Sequence, residues 1–223
     1  SCSVCGACCQ PPSSVGAPVA SSLPLVLPRG KVKRAPWSAN QRNCAEGSSV
    51  CAVITHPHSL MGGNMNNNVV MAAWRVCLAR NLSSIRFNFR GVGRSGGTFD
   101  EGEGEMDDLS AVIAHAAGPV VVIGYSFGAW VAVRLMKRVG GPWPCILVSP
   151  PNGMFTFPSL RDDPVWIVTG GYDQFCSIPG LEGLIGKERI TVVQGADHFW
   201  LGEERPLERY LDGRLGLLVD GMA

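Results

Sequence analysis

A serine on a glycine-flanked turn is the first residue in this chain whose setting suggests chemistry. Ser126 stands in the sequence GYSFG, after an aliphatic run at 120–123 and before a segment with helical periodicity. A serine on a sharp strand-to-helix turn is raised above the sheet as a nucleophile, and the start of the helix directs N–H groups at developing negative charge. The pattern predicts a nucleophile elbow at Ser126, with the Phe127 N–H as one donor of an oxyanion hole.

A base and an acid for this serine occur later in the chain, each just after a predicted strand. Asp173 follows a strand predicted at 165–168, and His198 follows a strand predicted at 190–193. The carboxyl ends of parallel strands meet at one edge of a sheet, so loops at these positions come together. The order serine, acid, histidine is the one that accompanies elbows of this kind. We therefore predict that Asp173 orients His198 and that His198 activates Ser126.

Competing residues are less well placed for these roles. A second match to the elbow pattern, GRSGG around Ser95, is followed by an acidic, glycine-rich loop and not by a helix. The aspartates at 162–163 precede their strand and should lie at the opposite edge of the sheet. Asp197 adjoins His198 in the chain and is too close to orient its ring, and Glu182 lies farther past the strand.

A second oxyanion donor is expected in the loop that follows the strand predicted at 50–55. The loop reads HPHSLMGGN and offers backbone N–H groups outside regular structure. Such a loop, with histidine and then paired glycines, supplies the second donor next to a nucleophile elbow. Ser59 or Leu60 could provide the N–H, and Leu60 is preferred. His56 and His58 are interpreted as loop-bracing residues, because no Asp, Glu or Cys nearby completes a metal site.

Predicted strands and helices alternate along the chain, which indicates an α/β fold with a mainly parallel sheet and helices on both faces. The predicted strands span 50–55, 84–89, 120–123, 145–148, 165–168 and 190–193, and the predicted helices span 69–80, 105–117, 129–139 and 206–219. Residues 150–163 are too few to build an inserted lid, so we expect an open site.

Bulk composition agrees with one domain that has a substantial core. The chain has 223 residues, of which 46% are hydrophobic, and a formal net charge of +1. This balance argues against a general nucleic-acid binder. No apolar run reaches the roughly 18 residues that a membrane span needs. We assign 48–223 to this domain. Five scattered cysteines are interpreted as reduced core residues of an intracellular protein; they are Cys44, Cys51, Cys77, Cys145 and Cys176.

Residues 1–47 differ in composition from the rest of the chain. Up to residue 45 they contain basic side chains and no acidic one, and they are rich in serine and proline. This composition fits an organelle transit peptide, a disordered leader or a wrongly assigned start. A short edge strand could lie within 18–32. The cluster Cys2, Cys5, Cys8 and Cys9 could bind zinc or carry acyl chains. It has no partner Cys/His pair at zinc-finger spacing, which argues against a metal site.

Four runs together resemble a known group of proteins; they are HPHSLMGGNMNNNVV, IRFNFRGVGRSGGTFDEGEGEMDDL, GYSFGAWVA and GADHFWLG. They resemble the small, lidless α/β-hydrolases of bacteria and plants, which are usually described as predicted hydrolases or esterases and are similar to dienelactone hydrolases. The resemblance covers about residues 48–202. It implies that Ser126 is the nucleophile, Asp173 the acid and His198 the base. That group commonly has proline where Ser59 stands.

The expected function is hydrolysis of a small carboxylic ester or thioester through an acyl-enzyme on Ser126, with no metal or organic cofactor. The expected partner is a small molecule, and the expected location is cytoplasmic or organellar. A peptidase or acyltransferase with the same three residues, or a non-catalytic binding protein on the same fold, are the alternatives. Several aromatic residues could line an acyl pocket or belong to the core; they are Trp130, Phe155, Phe157, Phe199 and Trp200.

Overall fold

The computed structural model describes residues 40–116 and 118–222. Its strands are β1 (Asn40–Asn43), β2 (Cys51–Thr55), β3 (Ser83–Phe87), β4 (Val120–Tyr125), β5 (Cys145–Val148), β6 (Val165–Gly170) and β7 (Ile190–Val193). They form one sheet in the order β1-β3-β2-β4-β5-β6-β7. β1 pairs antiparallel with β3, and the other neighbouring strands pair in parallel.

Helices connect the successive parallel strands, except between β5 and β6. They are α1 (Asn68–Ala79), α2 (Glu103–His115), α3 (Phe127–Val139), α4 (Ile178–Ile185) and α5 (Glu204–Asp220), with short 3-10 turns at Ser59–Met61 and Lys187–Arg189. Standard local signals set several of these boundaries. Asn67 caps α1 by accepting the Val69 N–H, and Gly140 ends α3 with a left-handed φ of 62°.

The core has two layers, one on each face of the sheet. Along β4, Val120 and Val122 pack into one layer, which the apolar sides of α2, α3 and α4 cover. Val121, Ile123 and Tyr125 pack into the other layer, which α1 and α5 cover. Successive side chains of a strand point to opposite faces, so a continuous aliphatic run is what a strand buried on both faces requires. The predicted α/β architecture with helices on both faces is confirmed.

The chain reverses direction across the sheet between β2 and β4. It runs from β2 to β3 on one side of β2, and then returns to place β4 on the other side. In open parallel sheets, ligands bind beyond the carboxyl ends of the strands at such a reversal. The loops that follow β2 and β4 meet at this point, and they contain the predicted oxyanion loop and Ser126.

Two elements were not expected from the sequence. β1 lies within the segment that we assigned to a leader, so the sheet begins at Asn40 and not at 48. The strand is polar and half exposed, and pairing with β3 holds it. Residues 1–39, with the cysteine cluster and the strand predicted within 18–32, lie outside the described residues. The second unexpected element is α4, whose start is marked by the Ser177 hydroxyl, which accepts the Gly180 N–H.

Other expectations can be compared with the structure directly. Between β5 and β6, residues 149–164 form no helix or strand, in agreement with the absence of a lid domain. Cys51, Cys77 and Cys145 are buried free thiols, as predicted, but Cys176 is only partly buried and Cys44 is exposed. Within the described residues, no helix combines the length and the apolar character that crossing a membrane requires.

Candidate active site

Ser126 lies on a strained turn between the end of β4 and the start of α3. Its φ of 53° and ψ of −120° are rare for a residue with a side chain. Its N–H donates to Val148 O at 3.0 Å, which ties the turn to β5, and its carbonyl accepts the Ala129 N–H at 2.9 Å. These two contacts hold the backbone in a conformation that the serine alone would not adopt.

The two glycines of the turn allow the close approach of neighbouring backbone. A Cβ at Gly124 would lie 2.7 Å from Ala129 Cα, where α3 passes over the end of β4. A Cβ at Gly128 would lie 2.4 Å from Thr55 Oγ1 and 2.7 Å from His56 O. Side chains cannot be accommodated at these distances, so the GYSFG spacing reflects packing of α3 against β2 and β4.

The structure brings the three predicted residues together as a hydrogen-bonded chain, which we call the candidate triad. Ser126 Oγ lies 3.0 Å from His198 Nε2. On the other side of the ring, His198 Nδ1 lies 2.9 Å from Asp173 Oδ1 and 3.0 Å from Asp173 Oδ2. All three residues are buried, with 5–7% of their surface exposed. The geometry matches a nucleophile, a base and an acid that orients the base.

The surroundings of Asp173 favour the ionised form of its carboxyl group. Burial by itself raises the pKa of its carboxyl group, but hydrogen bonds and charge from His198, together with hydrogen bonds from Ser149 and the Phe175 N–H, outweigh burial and lower the pKa. Phe175 N–H donates to Oδ1 at 3.0 Å, and Thr169 Oγ1 donates to Oδ2 at 3.3 Å. A carboxylate held in this way fixes the His198 tautomer that carries its proton on Nδ1.

Further buried residues brace the triad, and the sequence did not point to them. Trp200 Nε1 donates to Ser149 Oγ at 2.9 Å, and the Ser149 side chain in turn helps to lower the pKa of Asp173. Tyr125 OH donates to the carbonyl of His198 at 3.0 Å. Trp200 is therefore buried behind the acid and does not line an acyl pocket, as the sequence had left open. These contacts join residues that are far apart in the chain, so no local pattern announces them.

The loop after β2 lies against the start of α3, as an oxyanion loop must. The His58 ring is 4.8 Å from the Phe127 ring. The N–H of Phe127 is the first of α3 and has no acceptor within the helix. The N–H of Leu60 donates to His58 Nδ1 at 3.3 Å, and Leu60 itself is exposed. This hydrogen bond weighs against the prediction that the Leu60 N–H is a free donor.

The two N–H groups that precede Leu60 in this loop remain available. Among residues 40–116 and 118–222, no hydrogen bond uses the N–H of His58 or of Ser59. His56 braces the loop as expected, because its Nε2 accepts the Phe89 N–H at 3.0 Å and its Nδ1 lies 2.7 Å from Pro57 O. The N–H of residue 58 or of residue 59 is therefore the candidate for the second oxyanion donor.

The competing motifs have structural roles. Ser95 is buried, and its hydroxyl donates to Asn88 O at 2.9 Å. In the acidic segment, Glu105 accepts the N–H groups of Asp100 and Gly102 at the start of α2, and Asp108 pairs with Arg90. These contacts occupy both buried carboxylates of the segment.

One group of residues in the described part of the chain has donor atoms close enough for a metal ion. The donor atoms of Asp173, Cys176 and His198 lie within 4.8 Å of one another. Two of these residues already bond to each other in the triad. The Cys176 thiol donates to Pro150 O at 3.0 Å, and burial raises its pKa, so the thiolate that a metal prefers is disfavoured. The arrangement fits a triad better than a metal centre.

Comparisons with known proteins show the family to which the chain belongs. The sequence model of the Alpha/beta hydrolase family matches residues 62–174. An uncharacterized protein of Rickettsia prowazekii, RP471, is 33% identical over 67% of this chain and 71% of its own length. The chain belongs to the alpha/beta hydrolase family. The family match includes Ser126 and Asp173, and His198 lies beyond its end.

Two further proteins are similar to this chain, one by its solved structure and one by its sequence. The crystal structure of XC6422 from Xanthomonas campestris, described as an α/β serine hydrolase without lid, is 29% identical and has a TM-score of 0.68 over 78% of this chain and 86% of that one. The bovine mitochondrial palmitoyl-protein thioesterase ABHD10 is 36% identical over 70 residues, which are 30% of this chain and 23% of that protein. Membership of a lidless hydrolase group, stated above as a resemblance, is confirmed.

Proposed function

We propose that this protein is a serine hydrolase that cleaves a small carboxylic ester or thioester through an acyl-enzyme on Ser126. The observation that carries the proposal is the continuous chain from Ser126 Oγ to His198 Nε2 at 3.0 Å and from His198 Nδ1 to Asp173 at 2.9 Å. Thioesters are included because one relative is named a palmitoyl-protein thioesterase.

In the first half of the reaction, Ser126 Oγ attacks the carbonyl carbon while His198 Nε2 takes the hydroxyl proton. Asp173 accepts the Nδ1–H bond and stabilises the imidazolium that forms. The N–H groups of Phe127 and of His58 hold the oxyanion. We choose His58 over Ser59 because the resembling proteins commonly have proline at position 59, and proline has no N–H to donate.

In the second half, the proton passes from His198 to the departing alcohol or thiol, and the carbon–oxygen or carbon–sulfur bond breaks. Water then loses a proton to His198 Nε2 and attacks the acyl-enzyme, which releases the carboxylic acid and regenerates the Ser126 hydroxyl. The open edge, without a lid, leaves room for water to enter. No step requires a metal or an organic cofactor.

The proposal is tested by hydrolysis of p-nitrophenyl acetate. Ser126→Ala should lower kcat on the order of 10⁶-fold, to the background rate, because the nucleophile is lost. Ser95→Ala is the matched control, since it removes a buried serine hydroxyl from the other GxSxG sequence and should leave kcat within about threefold of the wild type. Equal rates in the wild type and Ser126→Ala would contradict the proposal.

A further inference from the structure

Exposed apolar side chains are concentrated around the candidate triad. The described residues include eight large apolar side chains that are exposed, and six of them lie on loops that follow β2, β5, β6 and β7. These six, which we call the apolar rim, are Leu60, Met61, Met154, Tyr172, Phe199 and Leu201. The other two, Leu78 and Leu217, lie on α1 and α5. A cluster of exposed apolar groups marks a surface that binds something apolar.

The loops that carry the rim lack basic side chains. Residues 56–64, 149–157, 171–177 and 195–202 contain no lysine or arginine. Their acidic residues are Asp173, which is buried in the triad, and Asp197, whose Oδ1 accepts the N–H groups of Phe199 and Trp200. An anionic carrier such as a nucleotide would find no cation on these loops to neutralise its phosphates.

A pocket continues the rim beside the elbow. It has a volume of about 400 Å³, and its walls include Met154, Phe155 and Leu184. The Phe155 ring lies 6.0 Å from the ring of Phe127, which directly follows Ser126. On its other side, Gly153 N–H donates to Phe175 O, and the Phe175 ring lies 4.7 Å from the His198 ring. Two residues of the pocket wall therefore contact Phe127 and Phe175, which are the neighbours of Ser126 and of the His198 ring.

We propose that the substrate carries a medium- or long-chain acyl group on an uncharged carrier, and that the chain lies along the apolar rim and reaches this pocket. The inference rests on the proposed function, because Ser126 is the nucleophile that the acyl group must reach. The apolar rim shares its loops with Asp173 and His198, so an acyl chain attached at the triad fits it better than a second copy of the protein does. Each methylene that is fully buried strengthens binding by about fourfold, and partial burial on an open rim gives less.

The experiment measures kcat/KM for p-nitrophenyl esters from acetyl to decanoyl, below their aggregation limits. For the wild type, we expect a rise of at least about tenfold over the series. The double variant Met154→Gln with Leu201→Gln should lose most of that rise, which is measured within each variant as the ratio of the decanoyl to the acetyl kcat/KM. The double variant Leu78→Gln with Leu217→Gln removes equally exposed apolar groups from α1 and α5 and should retain the wild-type profile.

The carrier is tested with octanoyl thioesters of N-acetylcysteamine and of coenzyme A. We expect the neutral thioester to be preferred; a preference for the coenzyme A thioester would overturn the uncharged carrier and point to the arginines on the loop after β3. If the chain-length profile is flat and Ser126 still cleaves the acetyl ester, the acyl-chain inference alone is overturned. In that case, a dimer detected by size-exclusion chromatography assigns the rim to a second copy of the protein. If the wild type cleaves no ester, the proposed function fails and this inference fails with it.

Discussion

Trp200 Nε1 donates a hydrogen bond of 2.9 Å to Ser149 Oγ, and through Ser149 it reaches the carboxylate of Asp173. The indole and the hydroxyl are both fully buried. Ser149 also has a φ of 47°, in the left-handed region, so its backbone is held where a serine is strained. The acid of the candidate triad is thus positioned by a residue two places after the histidine that it serves.

Replacing this indole tests the bracing role. Trp200→Phe leaves a buried hydroxyl without its donor, so we expect the free energy of unfolding to fall by about 1–3 kcal/mol and kcat to fall with little change in KM. Trp143→Phe is the control, because Trp143 is also buried but its Nε1 has no hydrogen-bond partner in the described part of the chain. Denaturant unfolding and ester kinetics measure both effects. If Trp200→Phe and Trp143→Phe lose the same stability and both keep the wild-type kcat, Trp200 only fills space.

His56 gives a prediction for the pH dependence of stability. Burial lowers the pKa of its imidazole from 6.5 to about 4, and it outweighs the hydrogen bond with the Pro57 carbonyl, which raises the pKa. The Nε2 atom also accepts the Phe89 N–H, which requires a neutral ring. A base whose pKa is lower in the folded state stabilises the fold above pH 6.5, and this contribution is lost as the pH falls towards 4. At 1.36 kcal/mol per pKa unit, the free energy of unfolding falls by about 3 kcal/mol when this contribution is fully lost.

Urea unfolding at about pH 7.5 and pH 5 should therefore show a lower midpoint at the acidic pH. His56→Gln keeps an acceptor for the Phe89 N–H but cannot titrate, so it should reduce the difference between the two midpoints. NMR titration of the wild-type ring is an independent check. A His56 midpoint near the ordinary histidine value would refute the account of this loop.

The elbow glycine at 128 can be compared with a glycine in open space. Gly128→Ala places a Cβ 2.4 Å from Thr55 Oγ1, so we expect a loss of about 1–3 kcal/mol in unfolding free energy and a marked loss of kcat as α3 moves away from β2. Gly183→Ala, in α4, meets nothing within 4 Å and should stabilise the protein by up to about 1 kcal/mol. If Gly128→Ala proves as harmless as Gly183→Ala, the explanation of the elbow by close packing is wrong.

The identity of the second oxyanion donor can be tested at residue 59. Ser59→Pro removes one N–H and keeps that of His58, so we expect kcat to stay within about threefold of the wild type, as for a neutral surface change. Loss of an oxyanion donor costs about 10²–10³ in kcat. A fall of that size, with the protein still folded by circular dichroism, would transfer the role to Ser59.

Much of the fold could be predicted because its parallel strands contain aliphatic runs, and the central ones are buried on both faces. The aliphatic runs predicted β5 and β7 at their observed bounds, and Ser126, Asp173 and His198 could be placed at one edge because each follows such a strand. β1 could not be predicted, since Asn40–Asn43 is polar throughout and depends on its pairing with β3. The prediction of Leu60 did not anticipate that the His58 side chain would accept its N–H.

The central claim is that Ser126 is a nucleophile activated by His198. The most direct measurement is labelling with a fluorophosphonate probe, followed by mass spectrometry of the modified peptide. We predict modification of Ser126 in the wild type and a loss of labelling in His198→Ala that remains folded, because the serine then lacks its base. Absence of labelling in the folded wild type, or undiminished labelling of Ser126 in His198→Ala, would contradict the account.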